Sequence, residues 1–178
     1  LLGEGLALSK TLEDRYNIAL ALNGLGLVSQ ALGQNADAQR FFEEGVALWR
    51  EIGDHGSLAQ TLTHLGETLL TQGDQPGACQ SFLQALAIAR EAQVTPVAHE
   101  ALLGFAAAHL LAGEGARALE LSLYVLQHHA TTQEAKSRAE KLRYQIEAQL
   151  TDQEKELVRV QVQKKTLADL VQTIVTTS

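Results

Sequence analysis

The 178-residue chain contains no methionine, one cysteine and two prolines, and only 4% of its residues are aromatic. Each scarcity excludes something. The lone thiol, Cys79, cannot build a disulfide framework, which fits a reducing compartment. Pro76 and Pro96 both fall at or near expected helix starts, where a missing N–H does no harm, so long helices can form around them. So few aromatics, beside abundant Ala and Leu, suit closely packed helices better than a β-sandwich, which needs Val, Ile, Thr and Tyr. No run reaches the roughly 18 apolar residues of a membrane span. The opening Leu1-Leu2-Gly3-Glu4 has neither an initiator Met nor a signal-peptide profile, so the sequence reads as a piece of a longer, cytoplasmic protein.

Basic charge is also short in the first part of the chain. Residues 1–131 carry 6 basic and 14 acidic side chains, while residues 132–178 carry 8 and 7. An acidic body repels phosphate backbones and argues against direct nucleic-acid binding. With 46% hydrophobic residues, the chain can nevertheless bury a substantial core.

What is present is a 40-residue echo. The stretch from Glu4 to Phe42 returns at Glu44 to Phe82 with twelve identities, among them Asp14/Asp54, Leu22/Leu62, Leu25/Leu65, Gly26/Gly66, Gly33/Gly73, Ala38/Ala78 and Phe42/Phe82. Self-similarity at such a period indicates stacked supersecondary units, each too small to bury its own apolar face. Within one period, Val46, Leu48, Trp49 and Ile52 fall at helical spacing, followed by the breaker Gly53-Asp54-His55-Gly56. A second helix, with Ser57 as a candidate N-cap, carries Leu58, Leu62, Leu65, Leu69 and Leu70 and stops at Gly73, where Asp74 can cap the next.

The same grammar places helices at about 2–12, 15–32, 35–52, 56–72, 75–92, 95–112, 115–129 and 132–150. The organisation expected is an array over 1–150 and two capping helices over 151–178. The array comprises an orphan helix in 1–14, repeats 15–54, 55–94 and 95–131, and a partial repeat 132–150. The cap begins with the Thr151-Asp152-Gln153-Glu154 capping-box spacing and ends with a helix from about Leu167 to Val175.

Leu62, Leu65, Gly66 and Leu69, then Ala78, Phe82 and Ala85, carry a signature that resembles the tetratricopeptide repeat. Leu22, Leu25, Gly26, Ala38, Phe42 and Gly45 give it again, and Leu102, Phe105, Ala106, His109, Ala118 and Ser122 give a degenerate version. A period of 40 also suits HEAT and armadillo arrays, but the Gly66/Ala78 pair and the Gly73-Asp74 turn favour the tetratricopeptide form. The resemblance implies an all-α, right-handed superhelical solenoid of antiparallel helix pairs. The passage Ala47-Leu48-Trp49-Arg50-Glu51-Ile52-Gly53-Asp54 and the closing segment further resemble the C-terminal arrays of large bacterial signalling proteins of the STAND type, similar to maltose activators and antibiotic regulators. That likeness implies a sensor or scaffold role, with ATP and DNA bound by other domains.

The chemistry-bearing residues do not converge. His128 and His129 are neighbours whose side chains diverge on a helix, and they are expected to meet its C-terminal dipole. His109 reads as a partly buried core residue, and His55 and His99 as loop and helix-start residues. Gly24-Leu25-Gly26 has no preceding strand and no following Gly-Lys-Ser/Thr, and Cys79 lacks a placed base. Neither an enzyme, a cofactor nor a metal is expected. Function is instead expected on the concave side, formed by the first helix of each pair: Leu20, Asn23, Leu27 and Gln30, then Gln60, Thr63, His64 and Glu67, then Glu100 and Leu103. Amides and carboxylates among leucines suit a protein or peptide segment, or another domain of the parent chain. A small-molecule inducer enclosed near Asn23, Thr63 and His64 is the alternative. Neither a nucleic acid nor a membrane is an expected partner, and the oligomeric state stays open.

Overall fold

A computed structural model describes the backbone of residues 2–177 and the side chains of residues 13–174. Among the described residues there are nine helices and no strand: α1 (Leu2–Ala31), α2 (Asn35–Ile52), α3 (His55–Gln72), α4 (Gln75–Glu91), α5 (Thr95–Leu111), α6 (Gly115–Gln127), α7 (Gln133–Glu147), α8 (Asp152–Val162) and α9 (Leu167–Thr177).

The turns recur every twenty residues. Gly33, Gly53, Gly73 and Gly113 all have positive φ, and Gln93, at 57°, takes the same conformation without being glycine. At four of the five turns the same pair of backbone bonds closes the helix. At Gly73, for example, Asp74 N–H donates to the Leu69 carbonyl and Gly73 N–H to that of Leu70. Asp54 and Asp74 then cap the helices that follow, accepting from the backbone N–H of Ser57 and Gly77. The N-cap of α3 is therefore Asp54 rather than Ser57, because a carboxylate three residues earlier already meets the Ser57 amide at 3.0 Å.

One expected break is absent. In place of an isolated helix at 2–12 and another from residue 15, α1 runs without interruption. The register explains this: Glu13 stands where Gly53 stands forty residues later, so Asp14 has no left-handed residue before it to start a turn. A second difference lies at the end of α6. The helix stops at Gln127 and His128 is extended, so the His128-His129 pair lies outside the last turn.

Packing follows from small residues set against rings. Phe42 lies on Gly26, and Phe82 lies between Gly66 of α3 and Gly104 of α5, where added Cβ atoms would fall 2.5 and 2.3 Å from the ring. α4 is thereby gripped by the first helices on either side of it. First helices also approach one another along the array, α1 to α3, α3 to α5 and α5 to α7, which puts them on the inner side. Val158 and Val162 of α8 are buried with Ala118, Leu119 and Ile146, while Leu170 and Ile174 of α9 join the main core. Among the described residues no helix is long and apolar enough to cross a membrane.

Candidate binding site on the inner helices

Three inner helices bring their charges together. Arg138 of α7 reaches back to Glu100 of α5 and, at 2.5 Å, to Glu67 of α3. A guanidinium fork suits this bridging, since its N–H groups point in two fixed directions. His64 lies beside Glu67, with Nδ1 3.7 Å from the carboxylate, and its ring stacks on Phe42 of α2.

These residues line a cavity of about 230 Å³ together with Gln60, Thr63, Pro96, Val97, Thr132 and Glu134. Gln60, Thr132 and Glu134 are exposed at its rim, while Thr63 is buried at its base. Three carboxylates thus face one guanidinium, and among the described residues Glu134 forms no ion pair of its own.

The two bridged carboxylates differ. Burial alone would raise Glu67, but the neighbouring His64 ring, 3.7 Å away, and the Arg138 charge outweigh it and hold the group below the ordinary carboxylate value. For Glu100 burial dominates: Arg138 offsets part of it, yet Glu67 and Glu134 add repulsion, and the group is pushed above its ordinary value. The cavity therefore holds one firmly ionised carboxylate and one strained by its surroundings.

Of the ten residues expected on the concave face, five line this cavity: Gln60, Thr63, His64, Glu67 and Glu100. Thr63 offers little to a ligand, because its hydroxyl donates to the Ala59 carbonyl and its side chain is buried. Leu103 is only 1% exposed and is a core residue, since α5 is packed by α4, α6, α3 and α7 and keeps almost no free face. Leu20 and Leu27 are exposed on α1, away from the cavity. Asn23 and Gln30 are half-buried on the same helix, and Asn23 accepts a 3.4 Å bond from Thr61.

Two residues escaped the sequence reading. Arg138 lies in a charged helix whose register departs from the earlier repeats, and its partners are 38 and 71 residues away. His99, read as a helix-start residue, is fully buried. Its Nδ1 is 3.1 Å from the Thr131 hydroxyl, and its ring meets His128 edge-on at 4.7 Å. Burial, with a smaller contribution from His128, lowers its pKa to about 4. The two threonines at 131–132 were the available signal, since a hydroxyl beside a helix start can serve a buried imidazole.

An all-α array of antiparallel helix pairs, with side chains gathered on its inner helices, defines the class: a tetratricopeptide-like solenoid. Residues 17–91, from within α1 to the end of α4, match the family model described as Tetratricopeptide repeat. No curated protein and no solved structure matches the chain. Tetratricopeptide repeats generally mediate protein–protein interaction, and their helical fold is typically a non-catalytic scaffold.

Proposed function

We propose that the array binds a peptide segment of a protein partner in the cavity between α3, α5 and α7, and that the bound segment places a basic side chain there. The observation that carries this reading is the excess of carboxylate over guanidinium in a cavity whose rim is open at Gln60, Thr132 and Glu134. A Lys or Arg side chain brings the missing charge, its aliphatic stem can lie along Pro96 and Val97, and Gln60 can pair with the peptide backbone. The small-molecule alternative draws less support. The space is below the roughly 300 Å³ at which ligand pockets begin, and Asn23 takes no part in it. The resemblance to bacterial signalling arrays supports a wider setting, in which this module is the sensor or scaffold of a larger cytoplasmic regulator and α8 and α9 close its end.

A random peptide library displayed on phage tests the reading. Peptides selected on the wild-type chain should carry a Lys or Arg, and Glu134→Gln, which alters an exposed rim residue, should weaken them several-fold. Selected peptides without a basic residue, or with unchanged affinity for the variant, would count against the cavity as the binding site.

A further inference from the structure

Beyond the first cavity, α5 and α7 continue side by side along the inner face of the array. Glu134, Arg138, Lys141 and Gln145 recur along α7 at steps of four, three and four residues, and so share one face of that helix. Arg138 lines both the first cavity and a second one of about 210 Å³. Lys141, Leu142 and Gln145 of α7 and Leu103 and Ala107 of α5 complete the second. Its apolar lining is Leu103, which is buried, with Ala107 and Leu142 half-buried, while Lys141 and Gln145 are exposed.

The two cavities carry free charges of opposite sign. In the first, Glu67 and Glu100 already share Arg138, and Glu134 forms no ion pair among the described residues. In the second, the Arg138 guanidinium is engaged by those carboxylates, α5 contributes only Leu103 and Ala107, and Lys141 forms no ion pair among the described residues. Glu134 and Lys141 are seven residues apart on α7. Seven residues are two turns, which separates the two charges by about 10 Å along the helix axis. A peptide in the polyproline II conformation repeats every three residues and rises about 3.1 Å per residue, so its residues i and i+3 share a face about 9 Å apart. A β-extended peptide alternates sides, and its residues i and i+3 point opposite ways.

We infer that the second cavity is a subsite for an acidic side chain of the bound peptide, an Asp or Glu three residues from the basic residue that enters the first cavity. The carboxylate pairs with Lys141, and its short stem lies against Ala107 and Leu142. Gln145 offers its amide to the peptide backbone, as Gln60 does at the other cavity. A helical ligand would leave both amides unused, because its backbone groups already bond one another. The assignment rests on the peptide reading of the first cavity and adds to it the order and spacing of charge in the ligand. A carboxylate at the peptide's own C-terminus has the same chemistry as an acidic side chain, and the test separates the two.

The probe is a random peptide library displayed on phage, with the C-terminal end of every peptide fused to the coat protein, selected in parallel on the wild-type chain and on Lys141→Glu. Wild-type selections should return a Lys or Arg with an Asp or Glu three residues away. Selections on Lys141→Glu should keep the first residue and exchange the acid for a Lys or Arg. An amidated, fluorescein-labelled peptide built on the selected pair, with two prolines between its members, should lose about threefold in affinity for Lys141→Gln, as an exposed ion pair does. The thermal melt of that variant should match the wild type, because Lys141 is exposed. Basic residues selected without an acid at that spacing, or with the same acid on Lys141→Glu, overturn the second subsite and leave the first cavity standing. Selection without a basic residue overturns both. Affinity that appears only when the synthetic peptide ends in a free carboxylate overturns the side-chain assignment in favour of the chain end.

Discussion

Gly104→Ala should destabilise the protein, although alanine is the better helix former. The added methyl would lie 2.3 Å from the nearest carbon of the Phe82 ring, against an ordinary carbon contact of about 3.5–4.0 Å. The ring cannot retreat, because its α3 side already rests on Gly66, where a Cβ would lie 2.5 Å away. Forcing a methyl into such a site costs about 1–3 kcal/mol, and the helix-propensity gain offsets about 1 kcal/mol of it. The net loss is up to about 2 kcal/mol, or up to roughly 8 °C in thermal midpoint for a chain of this size.

Urea denaturation followed by far-ultraviolet circular dichroism measures the loss, provided the slope stays constant. The decisive comparison is a double-mutant cycle with Phe82→Ala, which alone costs about 3–5 kcal/mol. With the ring gone, Gly104→Ala should become neutral or stabilising, a coupling of about 1–3 kcal/mol. Gly24→Ala, at the same register but with open space, should stabilise by up to about 1 kcal/mol. If Gly104→Ala costs the same with and without the Phe82 ring, ring-on-glycine packing does not hold α4 between α3 and α5.

The remaining expectations concern charge and backbone. Glu67→Gln should cost about 1 kcal/mol at neutral pH; since the folded pKa of Glu67 is lowered, its contribution is present above the ordinary carboxylate range and is lost as pH falls through the folded value. Glu100 has the opposite sign: its folded pKa is raised, so its ionised form is a net cost at neutral pH, and Glu100→Gln should leave the midpoint unchanged or higher. Thermal melts of both variants at pH 7 and pH 4 compare the two directly. His99 is neutral in the fold, with a pKa of about 4 against 6.5 for the ordinary imidazole, so stability should fall as pH drops between these values. The loss is on the order of 3 kcal/mol, and His99→Gln should flatten the stability profile over that window. Gln93→Gly should raise stability by about 1 kcal/mol, the strain of a left-handed residue bearing a Cβ, as read from the urea midpoint.

The local grammar was legible because it depends on nearest neighbours. A residue free to adopt positive φ followed by a capping carboxylate stops one helix and starts another, and both groups act within four residues of the turn. The Gln93 turn shows where that grammar weakens. Its residue type does not announce a left-handed conformation, yet the turn falls on the twenty-residue beat and forms the same closing bonds. At Glu13 the register matched but the permissive residue was missing, and the helix continued. The candidate site was legible only as a set of helix faces: Gln60, His64, Glu67 and Glu100 follow from the repeat, whereas Thr63 and Leu103, which share one register, are both buried by their neighbours.

The sequence by itself determined the helical class, the beat of the turns and the ring-and-glycine pairs Gly26/Phe42 and Gly66/Phe82 that join the two helices of a repeat, because each follows from residues a fixed distance apart in a repeating chain. Only the tertiary structure decided which charges meet. Arg138 finds Glu67 across 71 residues, and His99 finds Thr131 across 32, through the curvature of the stack rather than through any periodicity. Coulomb and desolvation energies depend on distance and burial in space, and neither is written along the chain.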